Sequence, residues 1–356
     1  MANIKTLLPV AAAAFLAIGI IYVFLVQKRI PAHMPEKSTL NVAADTPAAD
    51  NDAHLIRTLD MPGNKGIISL AVAGNSKVLA AVCNGGIVKL WDLERQQITA
   101  TFDEQRRAGR AVAVSNDGRM VACIGEAGEI ELWDVSTKSV KSRLRGHTDV
   151  VTALAFIQGG AVLASCSEDQ TLRLWDIAKS RELARLSLGV KFPGTMSFST
   201  DEHYVAVAGM SKLVQVLDVP GRSQKLILNN PDDQDAFCAT FVNQGTILAY
   251  GTYGATLLFD CTKQRTIGRL SAGSNSPTCL LACTRDGKLL ASATASARIM
   301  VWDVSSLREE ASFHAHNAVP TGLAFTPDGK TLITASSGID FYDRVVDGEV
   351  KLWKVR

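Results

Sequence analysis

From residue 54 onward the chain alternates short apolar runs with polar turns, and the runs come in pairs. The first members read ISLAV (68–72), RAVAV (110–114), TALAF (152–156), GTMSF (194–198), CATF (238–241), CLLAC (279–283) and TGLAF (321–325). A turn such as SNDGR, TRDGK or TPDGK follows each. The second members are VLAAV, MVACI, VLASCS, YVAVAG, ILAYG, LLASAT and LITAS. Asp-Gly and Asn-rich links between such runs predict antiparallel hairpins. A third apolar strand and a more polar fourth one complete each unit. The pattern therefore predicts a string of four-stranded sheets with almost no helix.

The third strand carries a fixed frame. All five tryptophans lie in it: Trp91-Asp92, Trp133-Asp134, Trp175-Asp176, Trp302-Asp303 and Trp353-Lys354. Leu217-Asp218 and Phe259-Asp260 fill the gap, and successive spacings are 42, 42, 42, 42, 43 and 51 residues. A period of this size marks a repeat architecture in which each unit buries its face against the next. Bulky residues in this frame would wedge between neighbouring sheets, where Leu217 and Phe259 can stand in with a modest loss of packing.

These Trp-Asp repeats resemble the WD-repeat (WD40) β-propeller family, over residues 54–356. The resemblance implies an all-β, seven-bladed propeller. Its closure can be read as well. The seventh Trp strand runs to Val355-Arg356 and leaves no residues for an outer strand, whereas LIRTL (Leu55–Leu59) looks like the outer strands ITATF, VKSRL and TIGRL. Leu55–Leu59 is therefore expected to complete the last blade and remove an exposed edge.

The pattern before residue 54 differs. After a short tail (1–6), Leu7 to Val26 is a twenty-residue run without a charge. As a helix it would span roughly 30 Å, the thickness of a hydrocarbon core. The run exceeds a signal-peptide core and ends in Val26-Gln27-Lys28-Arg29 with no small-residue cleavage site, so one uncleaved transmembrane helix is expected. Residues 27–53, rich in Ala, Pro, Asp and Asn, read as a flexible linker. The amino terminus and Lys5 balance Lys28 and Arg29, so the positive-inside rule does not orient the helix. A short N-terminal tail favours an exported propeller; the cysteines point instead to a reducing compartment.

Charge and composition narrow the function. With 37 basic and 35 acidic residues the net charge is +2, which supplies no general attraction for nucleic acid. Seven cysteines are scattered along the chain without zinc or disulfide-framework spacing and read as ordinary buried thiols. No phosphate-binding loop, dinucleotide fingerprint, metalloprotease helix or nucleophile elbow occurs. No metal or cofactor is expected.

One repeat imitates a catalytic triad: His147, Ser165 or Ser167, and Asp169. The resemblance implies instead that His147, Ser165, Asp169 and Trp175 form a structural hydrogen-bond tetrad. Gly85, Ala127, Ser211, Tyr253 and Ser296 stand where Asp169 stands, so most blades should lack the network; Ala315-His316 and Asp347 are possible counterparts in the last blade. Blades four and five, lacking both Trp and tetrad, should be the least rigid. For partner binding, the insertion Ser337–Gly348 offers Phe341, Tyr342 and Arg344, residue types enriched at binding hot spots. Among the loops entering the blades, Arg106, Arg107 and Arg110 form a basic group, and Asp232, Asp233 and Asp235 an acidic one.

The resulting expectation is a membrane-anchored, non-catalytic scaffold that docks protein partners. Two alternatives remain: a structural subunit of a membrane complex, or a propeller that binds a small ligand or catalyses a reaction at its central channel. Inner strands built largely of Ala, Val, Leu and Thr argue against the last.

Overall fold

The computed structural model describes residues 53–59, 66–75, 77–102, 110–125, 128–273, 275–340 and 348–355. The expected membrane helix (7–26) and almost all of the linker (27–53) lie outside the described residues. Among the described residues no helix is long and apolar enough to cross a membrane.

Seven four-stranded antiparallel sheets follow one another along the chain. Blades 1 to 6 occupy residues 67–102, 112–144, 151–187, 193–229, 238–271 and 278–314; blade 7 combines residues 318–354 with His54–Leu59. Each of the first six runs in order from an inner strand to an outer one. Among the described residues there is no α-helix, in keeping with the period-two pattern.

The ring closes at blade 7. His54–Leu59 pairs antiparallel with Val350–Lys354, from His54 opposite Lys354 to Leu59 opposite Val350. The Thr321 hydroxyl then donates to the Ile67 carbonyl at 2.8 Å, joining the inner strand of blade 7 to that of blade 1. Pairing an N-terminal strand with the last blade satisfies an edge that would otherwise be open.

The core lies between the blades, because each sheet is apolar on both faces. The residue in the Trp frame packs on the blade before its own. Trp133 stacks on Phe102 of blade 1 with centroids 4.5 Å apart, and Trp353 leans on Phe313 of blade 6 at 4.4 Å. Trp91 lies among Ile333 and Leu352 of blade 7. Truncating a buried tryptophan of this kind costs about 3–5 kcal/mol. Leu217 fills the same place against blade 3 and stays buried. Phe259 fits less completely. It is half-buried and lines an open groove of about 350 Å³ between blades 4 and 5, with Leu226, Ile227, Leu228 and Tyr250.

The Asp that follows the Trp frame has a local task. Asp92 Oδ1 accepts the amides of Glu94 and Arg95 at 2.9 and 2.8 Å, and Asp303 Oδ1 those of Ser305 and Ser306 at 3.0 and 2.8 Å. Asp134, Asp176, Asp218 and Asp260 cap their turns in the same way. Each carboxylate thus fixes the turn into the outer strand. Lys354 replaces Asp in the blade whose outer strand, His54–Leu59, comes from elsewhere in the chain. There is no such turn to cap.

Candidate functional site at the end face

Strand alternation sorts the loops. Among the described residues, the first turns and the third turns of blades 1 to 6 lie at one end, while the second turns and the links between blades lie at the other, the end face. His147 sits in the link from blade 2 to blade 3 and Asp169 in the second turn of blade 3, whereas Ser165 and Trp175 come from its second and third strands.

These four side chains form one chain of hydrogen bonds. The Trp175 indole donates to Ser165 Oγ at 2.8 Å, His147 Nε2 lies 2.7 Å from the same oxygen, and His147 Nδ1 lies 2.8 Å from Asp169 Oδ2. The neutral imidazole protonated at Nδ1 satisfies every member: indole to hydroxyl, hydroxyl to imidazole, imidazole to carboxylate. Asp169 also accepts the Thr148 amide at 3.1 Å and the Thr171 hydroxyl at 2.6 Å. Burial would raise this carboxyl, but the Thr171 hydroxyl, His147 and the Thr148 amide outweigh it and hold the group down at about 2. Burial lowers the His147 pKa despite Asp169. Ser165 is fully buried, and its oxygen is held between an indole and an imidazole. A nucleophile needs access to a substrate carbonyl, which this hydroxyl lacks. Ser167 is equally buried and bonds the Asp149 carbonyl at 3.1 Å.

Blade 7 carries a second network. Trp353 donates to Thr334 Oγ1 at 2.9 Å, His316 Nε2 lies 2.7 Å from that hydroxyl, and His316 Nδ1 lies 3.2 Å from Glu349 Oε2. Glu349, rather than Asp347, takes the carboxylate position; Asp347 itself lies outside the described residues. The His316 bond, helped by Lys351, draws the Glu349 pKa down to about 2 against the effect of burial. Other blades keep fragments. Trp302 donates to Ser292 at 3.1 Å, and Trp133 turns to Glu131 at 3.1 Å on its own strand. In blade 4, Gln215 accepts the Gly189 amide at 2.7 Å, so a third-strand side chain holds the link that His147 holds in blade 3.

The charged residues expected to meet a partner are mostly neutralised in place. Arg110 bonds Glu168 across to blade 3 at 3.2 Å, Asp232 pairs with Arg269 at 2.6 Å, and Asp233 with Lys212 at 2.6 Å. Asp235 is half-buried. Arg106, Arg107, Phe341, Tyr342 and Arg344 lie outside the described residues.

A residue that the sequence pattern does not single out stands on the same face. Phe192, in the link between blades 3 and 4, is 57% exposed with φ of 49°. A left-handed backbone is rare for a bulky side chain, and Pro193 restricts the residue further. Gly209 makes the conformation possible: a Cβ there would lie 2.1 Å from the Phe192 carbonyl oxygen. Only the Phe-Pro pair, an aromatic outside any strand pattern, hints at it in the sequence.

The remaining chemistry is sparse. All seven cysteines are free thiols, four of them buried and three half-buried. Burial pushes Cys279 and Cys283 up to about 12, far from the thiolate that binds metal or attacks carbon. Among the described residues no cluster of His, Cys, Asp or Glu could hold a metal ion.

Comparison with known proteins agrees with this architecture. The family model "WD domain, G-beta repeat" matches residues 54–92, 138–176 and 307–354. The chain is also similar to DDB1- and CUL4-associated factor 13 of Dictyostelium discoideum, with 33% identity over 92 residues, 25% of this chain and 18% of that protein. The chain thus spans less than a fifth of the relative it matches. The chain thus carries WD repeats in three places within a seven-bladed β-propeller.

Proposed function

We propose that the protein is a non-catalytic docking scaffold, held at a membrane by residues 7–26, and that its end face receives a protein partner. The observation that carries this reading is Phe192. An exposed aromatic in a left-handed backbone, with a glycine keeping its carbonyl in place, costs stability that packing does not return. Strain of about 1–3 kcal/mol at one residue is commonly found at ligand clamps. An anchoring aromatic on a face that also carries neutralised charge pairs would bury apolar area against a partner. The two buried networks keep this face rigid, which lowers the ordering cost of binding. A WD-repeat relative named for its association with other proteins supports the same reading.

The test is purification from a detergent extract after mild crosslinking. The expected result is a stoichiometric protein that is lost when Phe192→Ala is introduced but kept with Asp286→Ala, on the opposite end. Recovery that is insensitive to Phe192 would overturn the end-face assignment. For the anchor, carbonate washing should leave the full chain in the membrane pellet, and deletion of residues 7–26 should release it. A full chain already soluble in carbonate rejects the anchor.

A further inference from the structure

The circumference of the propeller is charged unevenly. The outer strands of blades 2 to 5 contain seven basic residues and one acidic residue, Glu182, which is half-buried. The outer strand of blade 1, Gln97–Phe102, has no charge at all, and that of blade 6, Arg308–His314, carries two glutamates against one arginine. Basic side chains on open strand edges discourage aggregation, but a guard of that kind would be wanted on every blade. Here it is dense on one arc, while blades 6 and 7 carry one arginine each and blade 1 none.

Within that arc blades 3, 4 and 5 each expose a branched aliphatic together with at least one cation. On blade 3 they read Arg181, Leu183, Arg185; on blade 5, Arg265, Ile267, Arg269; on blade 4, Lys225 and Ile227. Each aliphatic is 36–39% accessible; a bulge puts Arg181 and Arg185, and likewise Arg265 and Arg269, on opposite faces of their sheets, and Arg185 and Arg269 are paired with Glu182 and Asp232. Arg181, Lys225 and Arg265 form no ion pair among the described residues. Between blades 4 and 5 the arc holds the groove under Phe259, lined by Ile227 and by Gln264 and Thr266 on either side of Arg265. The groove lies where the other blades insert an indole or a buried leucine.

We propose that the lateral arc of blades 3 to 5 is a second docking surface, which takes an extended acidic polypeptide segment carrying a bulky apolar residue. The outer strands present unpaired backbone groups at spacing suited to strand addition. Acidic side chains of such a segment would meet the uncompensated cations Arg181, Lys225 and Arg265, one on each blade. Its bulky residue would enter the groove that Phe259 leaves open, and the charge would set register and speed association. This surface is separate from the end face and does not depend on the role of Phe192.

The experiment uses the full chain, kept in neutral detergent, with a fluorescein-labelled peptide of alternating glutamate and valine and a tryptophan at its centre. Fluorescence anisotropy should show binding that weakens with added salt. The same peptide with lysine for glutamate should not bind, and alanine in place of tryptophan should reduce binding. Lys225→Glu with Arg265→Glu should weaken the acidic peptide by about tenfold or more. Arg57→Glu with Arg308→Glu, the same change in total charge on blades 7 and 6, should leave it unchanged. Near-ultraviolet circular dichroism confirms that each variant is folded. Absence of binding, or equal loss from both pairs, overturns the proposal. So does a short-chain phosphatidylserine that binds through Lys225 and Arg265 where the peptide does not, since that result assigns the arc to a lipid surface.

Discussion

The Trp175 indole and the Ser165 hydroxyl, ten residues apart in the chain, meet at 2.8 Å inside blade 3. Trp302 and Ser292 repeat the spacing and the bond at 3.1 Å in blade 6. The two pairs differ in what lies beyond the hydroxyl. The Ser165 hydroxyl in turn donates a hydrogen bond to His147 Nε2, while no histidine stands at the corresponding place beside Ser292, so the same substitution has different consequences. Ser165→Ala leaves an indole and an imidazole unsatisfied and should cost about 1–3 kcal/mol. Ser292→Ala leaves only the indole and should cost less. Urea unfolding of both variants checks the order; equal losses would mean that His147 contributes nothing through this oxygen.

Acid should destabilise the protein in two stages. His147 and His316 have folded pKa values below their ordinary 6.5 because they are buried, so the unfolded chain binds their protons first. Stability is therefore complete above about pH 6.5 and declines as the pH falls through that value. Asp169 and Glu349, both held near 2, add a second loss below their ordinary values of 3.8 and 4.5. Denaturation midpoints measured from pH 8 down to pH 3 should show both. Replacing the two histidines with glutamine should flatten the first stage and also shrink the second, because each histidine helps to hold its carboxylate down.

The capping aspartates should not be equal. Asp303 accepts two amides and two hydroxyls, from Ser305 and Ser306, whereas Asp176 accepts the Lys179 amide. Asp303→Ala should lower the unfolding midpoint more than Asp176→Ala, and Lys354→Asp should bring no gain. A stabilising Lys354→Asp in thermal unfolding would show that the Asp acts through charge rather than through the turn.

Removal of residues 55–59 should damage the fold far more than removal of residues 30–52. The first deletion strips the partner from Val350–Lys354 and exposes its edge. Thermal unfolding and aggregation of the two deletions decide it, and equal behaviour would mean that blade 7 is stable with three strands.

Much of this architecture is legible in the sequence because a wedge residue every 42 or 43 positions is a packing requirement that the chain must state locally. The closing strand is legible for the same reason, since Leu55–Leu59 shares the alternation of the outer strands. Glu349 is harder to find, because the 51-residue last interval shifts the count by which a counterpart of Asp169 would be sought. Phe192 is harder still. Its exposure and its backbone angle depend on Gly209, which is adjacent in space but seventeen residues away. The neutralisation of Arg110, Asp232 and Asp233 is a matter of which blades meet, and no charge count along the chain contains it.

The pairing of His54 with Lys354 also imposes an order of events on biosynthesis. The strand made first waits for the strand made last, 300 residues later. At about 5–20 residues per second that interval is roughly 15–60 s. For that time Leu55 and Ile56, still half exposed in the finished ring, have no sheet to join. Six blades can complete themselves from consecutive strands as they emerge, but the seventh requires two distant parts of the chain to meet. The ring therefore closes after translation of its final strand, in a single step of high contact order. That step, rather than blade formation, should set the time at which the scaffold becomes competent to bind.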